Sequence, residues 1–140
     1  MTSNRIVEDV PPLATWEALS GNAASVLIDV RTDVEWQNVG IPALPEGREN
    51  LFFISWQFAP DMRINADFVA EMEAAGIAKD APIYFLCRSG VRSRAAAELA
   101  TTAGFGPCYN IAEGFEGIAG PDGVRRGGWR GNGLPESAKP

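Results

Sequence analysis

A chain of 140 residues, 46% hydrophobic and 21% charged, has the size and composition of one soluble globular domain, and no apolar run in it approaches the roughly 20 residues that span a bilayer. Its net charge of −6 argues against nucleic-acid and anionic-membrane partners, which rely on a positive field. With no histidine and only two cysteines, Cys87 and Cys108, a disulfide scaffold, a Ser-His-Asp triad, a Cys-His pair and a histidine metal site are all excluded; no metal or cofactor is expected.

The opening "MTSNRIVEDVPP" lacks the apolar core of a secretory signal, so the cytoplasm is the expected location. A short strand is expected around Ile6 to Val10, then a helix over "PPLATWEALSG", with Leu13, Trp16 and Leu19 at helical spacing and Gly21 as its stop. Ser25 to Val30, "SVLIDV", reads as a buried strand. Thr32 and Glu35 fit a capping box that opens a second short helix. Prolines and glycines make a loop of residues 40–47, and "NLFFISW" is a third strand candidate.

Asn65 is placed to cap "ADFVAEMEAAG", whose stripe is Phe68, Val69 and Met72 and whose stop is Gly76. "PIYFLC" follows as a strand, "RSGV" as a turn and "RSRAAAELATTAG" as a helix, with Ala95, Ala96, Leu99 and Ala103 on one face. "CYNI" is the last strand candidate. Beyond Gly117 the chain turns rich in Gly, Pro and Arg, and a tail, residues 119–140, packed on or trailing loosely from the domain, is expected after a domain of residues 1–118. Strands alternating with helices define an α/β domain with a mainly parallel, buried sheet.

Cys87 thereby lies at the carboxyl end of a central strand, just before a tight turn and a helix start, where open α/β sheets collect ligands. Six of the twelve basic residues lie in two clusters: Arg88, Arg92 and Arg94, and Arg125, Arg126 and Arg130. The unpaired amides of a helix start, the helix dipole and the flanking guanidinium groups together favour an anion and a thiolate. Gly90 permits the backbone angles of such a turn. A cysteine nucleophile is therefore workable without imidazole. Asp29 and Arg31 read as a structural ion pair, Cys108 as a packed strand residue, and Trp129 in "GGWRGNGLP" as a candidate to fold over the site mouth.

The loop "CRSGVRS" resembles the active-site loop of the rhodanese-like sulfurtransferases, and the likeness continues on both sides. "LIDVRTDVEW" is similar to that family's early strand, with its Asp-x-Arg and following Glu at Asp29, Arg31 and Glu35. "YNIAEGFEG" is similar to the strand and turn after the helix that follows the cysteine. The resemblance covers most of residues 25–118 and implies a rhodanese-like three-layer fold, with a sheet of about five strands and helices on both faces. It also implies a Cys87 persulfide loaded from a small anionic donor, thiosulfate rather than 3-mercaptopyruvate, and passed to cyanide, a thiol or a protein acceptor. Arg88 and Arg92 would hold the donor, with amides of Ser89, Gly90, Val91 and Ser93 cradling the sulfur. Where many members have Gly-His-Ile, this chain reads Val39, Gly40, Ile41.

Two other functions remain open from the residues alone. Cysteine phosphatases and arsenate reductases place a thiolate in a similar loop, with five residues between Cys and Arg; here that arginine position is Ser93, and Arg92 comes one residue early. A sulfur carrier that hands a persulfide to a protein partner would use the same loop without donor turnover.

Overall fold

The computed structural model describes residues 6–138; five of the residues behind the reading of the amino terminus as leader-free, 1–5, lie outside them. In chain order the elements are β1 (Glu8–Val10), α1 (Pro12–Gly21), β2 (Val26–Asp29), α2 (Asp33–Asn38), β3 (Ile41–Pro42), β4 (Leu51–Phe53), β5 (Gln57–Phe58), β6 (Arg63–Ile64), α3 (Phe68–Ala74), β7 (Ile83–Leu86), α4 (Val91–Thr102), β8 (Cys108–Ile111), β9 (Ile118–Ala119), β10 (Arg125–Arg126), α5 (Gly128–Gly131) and β11 (Glu136–Ser137). Five strands form one sheet in the order β1-β8-β7-β2-β4, and every pairing in it is parallel.

All residues of β2 and β7 are buried, as expected of central strands covered on both faces. Their side chains alternate between two cores. Val26, Ile28, Ile83, Phe85 and Cys87 join Phe68 and Met72 of α3 and Ala96, Ala97 and Ala100 of α4 on one face. Leu27, Tyr84 and Leu86 join Leu19 of α1, Phe115 and Trp129 of α5 on the other. The result is a three-layer α/β domain with helices on both sides of a parallel sheet. After β2 the chain runs outward to β4; after β7 it runs the opposite way, to β8. The crevice between the carboxyl ends of β2 and β7 is the switch point where such sheets bind ligands, and Arg31 and Cys87 sit there.

In two helices one leucine of the expected face turns outward, while Leu19 of α1 and Ala96 of α4 are buried as the spacing predicts. In α1 the buried residues are Pro12, Thr15 and Leu19, while Leu13 is exposed. In α4 they are Ser93, Ala96, Ala97, Ala100 and Thr101, and Leu99 is exposed. The small alanine face lets α4 lie close on the sheet, and it directs Ser93 at Cys87. Asn65 does not cap α3, which begins at Phe68 after Asp67. Its carboxamide instead accepts from the Asp67 amide at 3.0 Å and donates to the Ser55 carbonyl and the Glu71 carboxylate, pinning the loop ahead of the helix.

The described residues after Gly117, 118–138, pack on the domain and do not trail from it; residues 139–140 of the expected tail lie outside the described residues. β9 and β10 form a hairpin, β11 pairs antiparallel with β3, and Trp129 is fully buried. Its ring meets Trp16 edge to face with centroids 5.9 Å apart, and its indole Nε1 donates to the Pro135 carbonyl at 2.8 Å. Trp129 therefore does not cover the site mouth: it fills the core on the face of the sheet opposite Cys87. A single tryptophan among glycines reads as loop by composition, yet it contributes the largest fully buried side chain of the described residues.

Candidate active site

Strand β7 delivers Cys87 to the sheet edge with 1% of its surface exposed. The chain then turns through Arg88, Ser89 and Gly90 into α4. Gly90 has φ +106°, in the region that side chains avoid, and this turn brings its amide to donate to Cys87 Sγ at 3.1 Å. The buried Ser93 hydroxyl lies 3.1 Å from the same sulfur and donates to Asn110 Oδ1. The sulfur thus faces two hydrogen-bonding groups at the amino-terminal, positive end of a 12-residue helix.

The loop is strapped from behind by the residues after β8. The Phe115 amide donates to the Cys87 carbonyl at 2.8 Å and the Glu116 amide to the Arg88 carbonyl at 3.0 Å. This close approach needs Gly114, at φ +59°, because a Cβ there would lie 2.5 Å from the Cys87 carbonyl oxygen. The Gly114 and Phe115 carbonyls in turn accept from the amides of Trp129 and Arg130 at 2.8 and 3.0 Å. The carboxyl-terminal segment thereby supports the cysteine loop through one intermediary.

Arg88 and Arg92 both reach the mouth, a hollow of about 320 Å³ that they line with Glu35, Val39, Met62 and Glu116. Each has a carboxylate partner. Arg92 is held by Glu35 through two bonds of 2.7 and 3.0 Å, and the half-exposed Arg88 lies 3.2 Å from Glu116. Burial pushes the Glu35 carboxyl up, but the hydrogen bond and charge of Arg92, helped by the Thr32 amide and Arg31, outweigh it and leave the pKa below the ordinary value. Burial likewise pulls Arg92 down and is outweighed by Glu35, with Cys87 and Asp29 adding, so its pKa is raised. The capping box of Thr32 and Glu35 is formed as the spacing predicts, so one carboxylate fixes both the start of α2 and the guanidinium beside the sulfur.

That pairing has a measurable consequence. Because the folded pKa of Glu35 lies below its unfolded value, near 4.5, its stabilising effect is fully present above that pH and is lost as pH falls through the folded value. Glu35→Gln is expected to cost about 2 kcal/mol at pH 7, from the lost charged hydrogen bonds. In urea unfolding the gap between wild type and variant should be level from pH 7 to pH 5 and narrow below pH 4.5; a gap unchanged at pH 3 would mean that Glu35 carries no charge-dependent stability.

Ser89, Gly90 and Val91 line a second hollow, of about 390 Å³, with Asp9, Asn110 and Glu113. Arg94, the third arginine of the first cluster, is held at Asp9 (2.8 Å) and Glu98 (3.7 Å). In the second cluster Arg126 pairs with Asp122, Arg130 with Glu136, and Arg125 donates to the Glu116 and Gly117 carbonyls. Asp29 and Arg31 are both fully buried and form an ion pair at 2.7 Å. Arg31 also donates to the Gly40 carbonyl at 2.8 Å and lies over the Phe115 ring, 4.3 Å from its centroid. The pair thus ties β2 to the Val39-Gly40-Ile41 corner and to the strap behind the cysteine loop. Cys108 packs in the core beside β7.

Of the residues singled out from the sequence, Cys87, Gly90 and Ser93 meet at the sulfur, Arg88 and Arg92 meet at the mouth, and Ser89 and Val91 line the neighbouring hollow. Sequence reasoning overlooked the Ser93 hydroxyl, Asn110, Glu116 and the use of Glu35 by Arg92. Asn110 and Glu116 lie inside the "YNIAEGFEG" stretch, so a signal for the region was present without one for their roles.

A buried cysteine at the end of a central parallel strand, roofed by a left-handed glycine and a helix start, defines an α/β domain built around a cysteine loop. The chain belongs to the rhodanese-like domain family, whose model matches residues 14–120. It is 40% identical over 129 residues to the uncharacterized protein RC0915 of Rickettsia conorii, covering 92% of this chain and 96% of that one. The crystal structure of Rv0390 from M. tuberculosis superposes with a TM-score of 0.85 at 44% identity, covering 94% of this chain and 98% of that one. The solution structure of a polysulfide-sulfur transferase homodimer from Wolinella succinogenes shares the fold, with a TM-score of 0.65 at 22% identity over 93% of this chain and 77% of that one. Among the described residues no helix is long and apolar enough to cross a membrane.

Proposed function

We propose that this protein is a sulfurtransferase that carries sulfane sulfur as a persulfide on Cys87, with thiosulfate as donor and a thiol or cyanide as acceptor. The observation that carries the reading is the Cys87 sulfur held under the Gly90 amide and beside the Ser93 hydroxyl, in a chain of the rhodanese-like family. The Cys87 thiolate attacks the outer sulfur of thiosulfate; an S–S bond forms to Cys87, the bond to the sulfonate sulfur breaks, and sulfite leaves with the electron pair. An acceptor thiolate or cyanide then attacks the outer persulfide sulfur and releases the Cys87 thiolate. Arg88 steers the anionic donor from the rim, Arg92 supplies positive charge beside the sulfur, and the loop amides receive the transferred atom. Asp29 and Arg31 support this edge of the sheet without touching the donor.

The carboxylates at the mouth favour a second reading. With Glu35 on Arg92 and Glu116 on Arg88, little unpaired positive charge is offered to a free dianion, which suits a carrier loaded from a persulfide and unloaded onto a protein partner. Intact mass after thiosulfate treatment, with thiocyanate formation measured on the same sample, separates the two. A gain of one sulfur atom with sustained thiocyanate production supports the thiosulfate enzyme. A gain only from a persulfide donor supports the carrier, and hydrolysis of an aryl phosphate with no sulfur gain defeats both.

A further inference from the structure

We propose that Asn110 is a positioning residue that competes with the Cys87 sulfur for the single proton of the Ser93 hydroxyl, and so sets how readily that sulfur is held as an anion. The inference deepens the reading of Cys87 as the nucleophile and starts from a count of hydrogens. Ser93 Oγ lies within hydrogen-bonding distance of both Cys87 Sγ and Asn110 Oδ1, yet a hydroxyl has one proton to give. The Asn110 carboxamide is buried and cannot turn freely to relieve the competition. Its Nδ2 donates to Asp9 Oδ1 at 2.9 Å and to the Gly90 carbonyl at 3.0 Å, which fixes the nitrogen outward and the oxygen toward Ser93.

Two arrangements follow. When Cys87 is a thiol or carries a second sulfur, its Sγ is uncharged, and the hydroxyl proton goes to the fixed Asn110 oxygen. When Cys87 is a thiolate, the charged acceptor is the stronger one, and the proton turns to Sγ. In the unloading step the acceptor attacks the outer sulfur, the Sγ–S bond breaks and its electron pair returns to Sγ; the hydroxyl turning from Asn110 to Sγ meets that charge as it forms. The same carboxamide holds the Gly90 carbonyl, one peptide removed from the amide that donates to the sulfur, so Asn110 governs both groups on Sγ.

The charged groups around this hydrogen-bond chain belong to other side chains, and the one change among them, the loss of the Asn110 bond to Asp9, is the same in both Ser93 backgrounds and cancels in the comparison. The groups are Arg92 on α4 with Glu35 on α2, Asp29 with Arg31 at the end of β2, Arg88 with Glu116 at the mouth, Asp9 of β1 with Arg94 of α4 behind Asn110, and Glu113 in the adjoining loop.

The test is the pH dependence of Cys87 alkylation by iodoacetamide, resolved from Cys108 by peptide mass, in wild type, Ser93→Ala, Asn110→Ala and the double variant. Ser93→Ala is expected to raise the midpoint by about one pH unit, since a hydrogen bond to the thiolate is lost. Asn110→Ala both frees the hydroxyl for the sulfur and loosens the Gly90 turn. Only the first effect needs Ser93, so its midpoint shift should lie at least ~0.5 unit lower in the serine protein than in the Ser93→Ala background. Equal shifts in the two backgrounds would make Asn110 a structural support only and overturn the proposal. Asn110→Leu, which nearly preserves the shape of the side chain, is measured in the same cycle, so that a poorly folded alanine variant does not decide the result. Alkylation requires no sulfur donor: the proposal can fail while sulfur transfer stands, and sulfur transfer can fail while the cycle shows the coupling.

Discussion

Cys87→Ser is expected to reduce thiocyanate formation to that of the protein-free mixture, a loss of at least about 1,000-fold, and to abolish the gain of one sulfur atom in the intact mass. The serine oxygen keeps an acceptor for the Gly90 amide and the Ser93 hydroxyl keeps its bond to Asn110, so the loop retains its shape and the loss reports the chemistry of the sulfur. An oxygen in that place forms no persulfide. Cys108→Ser, in the core beside β7, should keep the mass gain. A sulfur adduct that survives Cys87→Ser and disappears with Cys108→Ser would move the nucleophile to the wrong strand and end the present assignment.

Arg31→Met is expected to be the most destabilising single change at this edge of the sheet, costing about 3–5 kcal/mol in urea or thermal unfolding. Burial with a partner and burial without one differ sharply in energy. At present the Asp29 carboxylate, fully buried, receives three bonds from the Arg31 guanidinium, at 2.7 to 3.2 Å, and one from the Arg31 amide. Methionine fills much of the space but leaves the buried carboxylate only one of these four bonds, that from the backbone amide of residue 31, and it deprives the Gly40 carbonyl of the guanidinium bond. The double variant Asp29→Leu/Arg31→Met removes both charges and should recover part of that cost, because a buried pair replaced by packed apolar groups is often near neutral. If Arg31→Met unfolds within about 1 kcal/mol of wild type, the pair does not organise this edge, and the support ascribed to it is withdrawn.

The core of the fold was legible because it is written locally. "SVLIDV" and "PIYFLC" carry consecutive apolar residues, Val26 to Ile28 and Ile83 to Leu86, as a strand covered on both faces requires, and "CYNI" follows a helix of the right length to return to the same sheet. The loop was legible for the same reason: Cys87, Gly90 and the helix after them are neighbours in sequence, and so are Thr32 and Glu35. What escaped the sequence depends on partners far along the chain. Glu35 meets Arg92 across 57 positions and Ser93 meets Asn110 across 17, and neither spacing leaves a local mark. Leu13 and Leu99 look like core residues by type, but alanine and threonine at the inward positions allow a closer approach to the sheet than leucine would. Trp129 was misjudged because its glycine-rich neighbours, which look unstructured, are what let the backbone pass tightly enough to bury it.

The strap from α5 through Gly114 and Phe115 to Cys87 also bears on when the site comes into being. A ribosome makes Cys87 some forty residues before Trp129 and Arg130, and domains acquire structure as they emerge, amino-terminal parts first. The five strands of the main sheet are all made by Ile111, so a nascent chain can pair them while the Gly114 and Phe115 carbonyls still lack the amides that anchor them. Until residues 128–137 have been made, the backbone behind the sulfur is untied and the opposite core lacks its largest side chain. The order of translation thus leaves Cys87 without its finished surroundings until residues 128–137 of the described chain have been added.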